Sequence, residues 1–263
     1  MKDHGPGTEQ PSGLLVASYN VQKCVGLDLR RDPARTMAVI GELGADVVAL
    51  QEGDRRFGNR APLLDRDHLR EITGLEPVPL PLPGIGGGHG WHGNILLTRG
   101  AEVEQVRQLV LPGLEPRGAL VADLALEAGR LRVVAAHLGL LRASRAQQAR
   151  AIVAALQEGD PRPVLLLGDL NEWRTGPRSS LRLLEAELGR SETRVRSFPA
   201  GLPMLSLDRI YAAPRGLLGR MERHDSPLAR IASDHLPVKA RLYLGQVELD
   251  PPRAGPSADR GMP

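Results

Sequence analysis

The feature that most constrains the fold of this chain is a series of short apolar runs, each of which stops at a polar residue. Four such runs cover residues 14–19, 46–50, 131–136 and 164–167. Continuous apolar runs of this length are typical of β-strands that are buried on both faces. A buried strand has no structural need for the polar groups that follow these runs, which are Asn20, Glu52, His137, Asp169 and Asn171. Because a sheet holds its strand ends rigidly, ligand-binding and catalytic groups gather there.

Two further segments place polar side chains within or beside apolar stretches. Asp208 lies inside the apolar stretch Leu205–Tyr211, and Asp234 and His235 stand directly before the last predicted strand. These three side chains therefore join the candidate site residues.

The rest of the chain alternates between strand-like and helix-like segments. Asp32 followed by Pro33 is a typical helix start, and the helix is expected to run through Leu43 and end at Gly44. A second helix is expected over residues 143–157. The other predicted strands lie at 94–98, 101–110, 117–126 and 130–136, and around 193–197, 206–212, 217–223 and 236–244. Strands outnumber the widely spaced helices, which predicts an α/β fold of two packed sheets with helices on their outer faces.

Length and composition indicate one folded unit. The chain has 263 residues, 41% of them hydrophobic, which is enough for a sizeable core. Residues 1–12 and 247–263 are rich in Pro, Gly and Ser and show no periodicity, so we expect both ends to be disordered. No second linker or internal repeat separates them, which predicts a single domain over 13–246.

Composition also excludes several classes of protein. The single cysteine, Cys24, excludes an internal disulfide framework and any structural zinc site with two or more thiolates. The aromatic content of 3% argues against a base-stacking platform for single-stranded nucleic acid. No apolar run reaches the length of a membrane span, and residues 1–12 lack the apolar stretch of a secretory signal. We therefore expect a cytoplasmic monomer with no transmembrane segment.

The charge leaves the partner open. The chain has 34 Lys and Arg against 31 Asp and Glu, a net charge of +3, and its basic residues are almost all arginines. Five arginines and no acid fall within 128–157. Two of them, Arg142 and Arg145, follow His137, and we expect them to line a cleft and bind substrate phosphate. A solvated helix face is the alternative explanation of the same pattern.

Taken singly, each candidate residue has a structural explanation: Asn20 as a turn former, His137 as a hydrogen-bonded core histidine, Asp208 as the ion-pair partner of Arg209. Together they supply what metal-assisted phosphoester hydrolysis requires. Mg²⁺ binds oxygen ligands, usually one or two carboxylates with waters and a substrate phosphate, and Mn²⁺ can substitute for it. Histidine suits proton transfer or phosphate binding near neutral pH, and an amide can donate a hydrogen bond to an oxyanion.

Seven short motifs identify a family. They are SYNV (18–21), LQE (50–52), GNILLTR (93–99), AHL (136–138), GDLN (168–171), LDRI (207–210) and SDHLP (233–237). In this order they resemble the endonuclease/exonuclease/phosphatase superfamily over residues 14–244, and GDLN and SDHLP are the most specific of them. The chain is most similar to a small, uncharacterised bacterial branch. The resemblance implies a four-layer α/β/β/α sandwich of two mixed β-sheets flanked by helices, with a Mg²⁺ site at one end.

The resemblance also implies roles for the metal and water groups. Glu52 matches the metal-binding carboxylate, assisted by Asn20, and Asp234 is expected close to that metal or to a second one. Asp169 looks like the residue that orients or deprotonates the attacking water. Asn171 is similar to the amide that holds a non-bridging phosphate oxygen.

The same carry-over covers the histidines. His235 resembles the active-site histidine, and Asp208 the carboxylate that orients it. His137 resembles the phosphate-side histidine of the deoxyribonuclease-like and sphingomyelinase-like branches, whereas abasic-site enzymes tend to have a tyrosine there. Asn94 falls where the family has a polar residue that supports the site or the substrate phosphate.

The function that the resemblance implies is a Mg²⁺-dependent phosphoesterase, in which an activated water attacks a phosphodiester or phosphomonoester in line. The phosphoester substrate is left open between a small molecule, a lipid head group and a nucleic acid. A DNA or RNA nuclease is the first alternative and should show steep salt dependence. A non-catalytic phosphate-binding module is the second alternative.

Overall fold

The structure is a computed structural model that describes residues 13–54, 62–82, 88–189 and 193–246. The strands of this part, numbered in chain order, are β1 (Leu14–Asn20), β2 (Val47–Gln51), β3 (Glu76–Pro77), β4 (Ile95–Thr98), β5 (Glu102–Leu111), β6 (Arg117–Leu126), β7 (Gly129–His137), β8 (Val164–Asp169), β9 (Asp208–Ala213), β10 (Glu222–Arg223) and β11 (Val238–Leu242). The α-helices are α1 (Pro33–Leu43), α2 (Arg66–Thr73), α3 (Arg142–Leu156), α4 (Arg182–Leu188) and α5 (Ala229–Ala232).

The strands form two mixed sheets. The first has the order β10-β11-β1-β2-β4-β3 and the second the order β5-β6-β7-β8-β9. β1 runs parallel to β2, and β7 runs parallel to β8, while the other hydrogen-bonded neighbours are antiparallel.

The alternation of side chains along a strand explains how each sheet buries both faces. In β1, Val16 packs between the sheets with Leu165 of β8, whereas Tyr19 packs on the outer side with Ile40 of α1. In the second sheet, residues on the outer face contact α3 and α4 in a third cluster. The order helix, sheet, sheet, helix confirms the four-layer α/β sandwich.

Helix α1 begins and ends at residues whose capping roles can be read from the sequence. The Asp32 side chain accepts a hydrogen bond from the backbone N–H of Arg35 over 2.9 Å, and Pro33 occupies the first turn, where its missing N–H costs nothing. Gly44 ends the helix with a φ of 59°, a left-handed conformation that favours glycine. The predicted bounds of α1 are confirmed.

Several minor elements differ from the expectation. Residues 193–197 form no strand, and Phe198 instead makes an isolated bridge with Leu205. The strand expected around 217–223 is reduced to the two residues of β10. Helix α2 was not predicted, because Leu69 is its one buried side chain and so leaves no apolar periodicity to detect.

The ends predicted to be disordered, 1–12 and 247–263, lie outside the described residues, and that prediction stays open. No helix in the described ranges combines the length and the apolar character that crossing a bilayer demands.

Candidate active site

The register of the second sheet lines up three predicted site residues. His137 at the end of β7 pairs with Asp169 at the end of β8, and Asp169 pairs with Asp208 at the start of β9. Directly opposed residues on adjacent strands share one face of the sheet, so the three side chains form a row. All three are buried, with exposures of 3%, 2% and 0%.

The first sheet brings its own polar residues to the same place. Asn20 pairs with Gln51 across the parallel strands β1 and β2, so Glu52 follows at the same end. Asn20 then bridges the sheets, because its Nδ2 donates to Oδ2 of Asp169 over 3.0 Å. Its Oδ1 accepts the backbone N–H of Gln22 over 3.1 Å, which fixes the orientation of the amide.

A close approach of two backbones explains the glycine before Asp169. A Cβ at Gly168 would lie 1.8 Å from the carbonyl oxygen of Ala136, so a larger residue would break the pairing of β7 with β8. Asp169 Oδ1 then accepts the backbone N–H of Asn171 over 3.0 Å. Asn171 donates one Nδ2 hydrogen to the Leu138 carbonyl over 2.9 Å, which leaves the second hydrogen of that amide available.

His235 is held between two carboxylates. Its Nδ1 lies 2.9 Å from Oδ2 of Asp208, which also accepts a close hydrogen bond from the Ser197 hydroxyl, and its Nε2 lies 3.7 Å from Oδ2 of Asp169. Burial alone would lower the pKa of His235, but Asp208 and Asp169 outweigh it and raise that pKa to about 10. The imidazole therefore carries both ring protons at neutral pH.

The pKa of His137 is shifted in the opposite direction. Burial, reinforced by the guanidinium of Arg117, lowers the pKa of His137 to about 3 although Asp169 acts against it. Arg117 Nη1 lies 3.1 Å from Nδ1 of His137, and a guanidinium can only donate, so Nδ1 accepts and Nε2 carries the proton. That Nε2 faces Asp169 Oδ2 at 3.5 Å. Glu115 fixes Arg117 by accepting from its Nε and Nη2 over 3.2 and 2.8 Å.

The carboxylates expected to bind metal lie on the side of the first sheet. Glu52 is partly buried and forms a close ion pair with the ammonium of Lys23. Burial raises the pKa of Asp234; His235 lowers it, and the neighbouring negative charge of Glu52 raises it further. Two carboxylates that repel each other this way favour a bound cation. With the amide oxygen of Asn20, they offer the hard oxygen donors that suit a divalent cation such as Mg²⁺.

A second group could also hold a metal. One ligand atom each from Asp169, Asp208 and His235 lie within 4.8 Å of one another, and all three residues are buried. The Nδ1 of His235 is hydrogen-bonded to Asp208, which leaves only Nε2 of that ring for a metal. The all-oxygen set on the Glu52 side is the better fit to a hard cation.

The expectation that Arg145 lines the cleft and binds phosphate is corrected by the structure. Arg145 is 1% exposed, and its guanidinium donates to Ser180 Oγ over 3.0 Å and to Glu172 over 3.3 Å. It also donates to the carbonyls of Gly139 and Leu140 over 3.1 and 2.6 Å. These bonds engage the guanidinium and tie α3 to the loop after β8.

The acid-free segment 128–157 is partly neutralised, although Arg142 and Arg150 stay exposed. Arg130 pairs with Glu104 and Arg132 with Asp123, both from neighbouring strands of the second sheet. The local excess of arginine is therefore largely neutralised by acids from elsewhere in the chain.

The two other residues proposed for phosphate lie in different surroundings. Arg142 is exposed at the start of α3, where its Nε donates to the Arg178 carbonyl over 3.3 Å. Asn94 is fully buried, and its Nδ2 donates to the carbonyls of Trp91 and Gly118 over 3.1 and 2.9 Å. Asn94 thus joins the loop before β4 to β6.

Three residues of the site were missed from sequence: Lys23, Arg117 and Ser197. The hairpin of β6 and β7 pairs Ala119 with Ala136, so counting back from its turn would have put Arg117 beside His137. Lys23 is one of few lysines and follows Asn20 by three positions, which was a usable signal. Ser197 gave none.

Two comparisons with known sequences identify similar proteins. The sequence profile of the Endonuclease/Exonuclease/phosphatase family matches residues 17–235. The Uncharacterized protein YbhP of Escherichia coli strain K12 is 34% identical over 170 residues, which cover 59% of this chain and 64% of YbhP. The chain therefore matches somewhat less than two thirds of the length of this curated relative.

Solved structures show the same fold. An endonuclease/exonuclease/phosphatase from Beutenbergia cavernae superposes with a TM-score of 0.65 at 24% identity, covering 88% of this chain and 72% of that one. The mannosyl-6-phosphatase Bt3783 from Bacteroides thetaiotaomicron superposes with a TM-score of 0.62 at 17% identity, covering 87% and 99%. At these identities the likeness concerns the fold alone.

Proposed function

The chain belongs to the endonuclease/exonuclease/phosphatase family, and from this premise we propose that it is a Mg²⁺-dependent phosphoesterase for which Mn²⁺ can substitute. One observation carries the proposal. Oδ2 of Asp169 lies 3.0 Å from Asn20 Nδ2, 3.5 Å from His137 Nε2 and 3.7 Å from His235 Nε2. A buried carboxylate that gathers donors from both sheets is suited to hold a water beside a phosphate.

In the proposed reaction, Asp169 orients or deprotonates a water that attacks phosphorus in line with the leaving oxygen. The second Nδ2 hydrogen of Asn171 donates to a non-bridging oxygen. Because Asp169 Oδ1 binds the backbone N–H of Asn171 over 3.0 Å, the water-holding group and the oxyanion donor are fixed relative to each other.

The two histidines supply donors of different charge. His235, kept protonated by Asp208 and Asp169, offers a cationic N–H to the phosphoryl oxygens. His137, kept neutral by burial and Arg117, offers an uncharged one through Nε2. A cationic donor stabilises the negative charge that grows on those oxygens more strongly than a neutral donor does.

Glu52, Asn20 and Asp234 are the residues that would hold the metal. Mg²⁺ bound there would polarise a phosphoryl oxygen and neutralise developing charge. Lys23, now paired with Glu52, would be released from that carboxylate.

The proposal is tested with a soluble phosphodiester and a soluble phosphomonoester, such as bis(p-nitrophenyl) phosphate and p-nitrophenyl phosphate, in Mg²⁺, Mn²⁺ or chelator. Glu52→Ala and His235→Ala should each lower kcat/KM by about 100-fold or more, because each removes a group aimed at the transition-state charge. Matched controls are Glu71→Ala and His68→Ala, whose exposed side chains lie on α2. Hydrolysis that is metal-independent, or unchanged in both site variants, would contradict the proposal.

The nuclease alternative is distinguished in the same screen. Plasmid DNA and single-stranded DNA or RNA are offered beside the soluble esters at increasing salt. A nuclease that contacts several phosphates loses affinity steeply with salt. A small-phosphoester enzyme changes little and is inhibited by soluble monomers.

A further inference from the structure

The exposed apolar side chains of this protein are unevenly distributed. Thirteen large hydrophobic side chains are exposed in the described part of the chain. Nine of them lie at the end of the sheets that carries the candidate active site, eight on loops and Ile231 on α5. Single exposed hydrophobic residues are ordinary, but their concentration around a catalytic cleft marks an interaction surface. These side chains form two groups.

The first group, which we call the β1 rim, consists of Leu27, Leu29, Leu202, Met204 and Ile231. Its loops are bound to one another, since the Leu27 N–H donates to the Ile231 carbonyl over 2.9 Å. The side chain of Leu27 also lies against Gly201, next to Leu202. Leu29 projects furthest, with 86% of its surface exposed.

The second group, the β7 rim, consists of Leu114, Leu140, Leu141 and Trp173. The Leu140 N–H donates over 2.7 Å to Glu115, the same carboxylate that holds Arg117 against His137. Leu114 is 85% exposed. The rim is thus built directly on the residues that position a proposed catalytic histidine.

The same loops carry positive charge. Arg30, Arg31, Arg142 and Arg178 are exposed, and within the described ranges no carboxylate lies at ion-pair distance from any of them. Of the acids beside them, Asp28 pairs with Arg35 and Glu115 with Arg117, while Asp32 caps α1. Leucine and tryptophan side chains interspersed with arginines match the surface of a bilayer that contains anionic lipid.

The burial of the site agrees with the same partner. Asp169, His137 and His235 are at most 4% exposed, so the reacting phosphate has to enter from the end of the sheets on which both rims stand. A lipid head group projects from a surface and can enter while the rims rest among its neighbours. A nucleic acid would instead lay a charged backbone against the exposed leucines, where its phosphates would lose hydration without gaining partners.

We infer that the β1 and β7 rims dock onto an anionic phospholipid bilayer and that the phosphoester hydrolysed by this site belongs to a membrane lipid. The inference rests on the proposed function for the hydrolysis, but not for the docking.

Docking is measured by flotation with vesicles of phosphatidylcholine alone or mixed with phosphatidylglycerol. The full chain should float with the mixed vesicles, and Leu29→Asp combined with Leu114→Asp should lower the bound fraction at least tenfold. Leu183→Asp, at an exposed position of α4 outside both rims, is the matched control and should bind normally. Insertion of Trp173 should shift the tryptophan emission to shorter wavelength, and this shift should vanish in Trp173→Phe.

Hydrolysis separates this inference from the proposed function. The rim double variant should keep its rate on the soluble ester and lose it on the lipid ester in mixed vesicles. Failure to float, or equal floating of the double variant, would overturn the docking, as would a dimer that dissociates in the rim variant. If the wild-type chain floats but hydrolyses no soluble or lipid ester, the proposed function fails and the docking stands.

Discussion

Arg117 fixes which nitrogen of His137 carries the proton: its Nη1 lies 3.1 Å from Nδ1, and Glu115 holds the guanidinium in place from the other side. The sheet therefore holds a neutral histidine whose Nε2 is the hydrogen-bond donor. Arg117, which sets this tautomer, lies 20 residues away in the chain. His235 lies on the other side of Asp169, and there the carboxylate of Asp208 favours the protonated imidazole.

Replacing Arg117 by Met should release this tautomer. Without the guanidinium the pKa of His137 should rise from its depressed value, because the positive neighbour that helps to lower it is gone. By analogy with other residues that orient an active-site histidine, kcat should fall about 10–100-fold. Nitrogen NMR of the histidine rings reads the tautomer directly. Arg130→Met, which removes the surface pair with Glu104, is the control. A wild-type spectrum with the proton on Nδ1 of His137 would refute the assignment.

Arg145 should matter for stability rather than for substrate affinity. Arg145→Met leaves the buried carboxylate of Glu172 with Arg174 at 3.6 Å as its remaining cation, and breaking a buried pair in this way costs about 3–5 kcal/mol. Urea unfolding measures the loss. Adding Glu172→Gln should recover part of it, and Arg150→Met, an exposed arginine of the same helix, should change the free energy of unfolding by no more than about 0.5 kcal/mol. A raised KM with unchanged stability would restore the phosphate-binding interpretation.

Lys23 should compete with the metal. Its ammonium is paired with Glu52, so the Lys23→Met variant should bind Mg²⁺ more tightly by up to about fivefold. That factor corresponds to the free energy of a partly exposed ion pair. Calorimetric titration of the wild type, Lys23→Met and Glu52→Gln compares the affinities, and Glu52→Gln should bind weakly or not at all. Lys239→Met, which removes the pair with Glu222, is the matched control. Equal affinity in wild type and Glu52→Gln would place the metal elsewhere.

Acid should weaken a link between α1 and the segment before α5. Burial alone would raise the pKa of Glu42, but hydrogen bonds from His224 and Ser226 outweigh it and hold that pKa below its usual value. A carboxyl with a depressed folded pKa stabilises the fold above its unfolded pKa of about 4.3 and loses that contribution as the pH falls through the folded value. Glu42→Gln should therefore be less stable than the wild type at pH 7, with the difference shrinking in acid.

Urea unfolding from pH 7 to pH 3 follows this difference. Glu127→Gln, in the exposed turn between β6 and β7, should leave the slope of stability against pH unchanged. A difference that grows on acidification would have the wrong sign and would reject the linkage.

The sheets and much of the site were predictable because local pattern and strand ends carry the information. Each apolar run marked a buried strand, and the polar residue after it, such as Asn20 or Asp169, marked the edge where the strands meet. The pairing of His137 with Asp169 and of Asp169 with Asp208 then follows from register.

What escaped prediction depends on contacts between distant parts of the chain. The sequence shows Arg145 on a helix after His137, but not that Glu172 and Ser180 take up its guanidinium. The protonation state of each histidine also depends on partners that come within reach only when the two sheets pack. Ser197, in a segment with neither strand nor helix, had no pattern from which its bond to Asp208 could be read.

The Ser233 hydroxyl donates to the Asn20 carbonyl over 2.7 Å, and the two residues are 213 positions apart. A ribosome releases Asn20 and Glu52 early and the segment with Ser233 and His235 late, while domains generally fold as units. A nascent chain therefore carries an incomplete centre until His235 has been made. The two parts of the candidate site, Asn20 with Glu52 and Ser233 with His235, are thus completed only together.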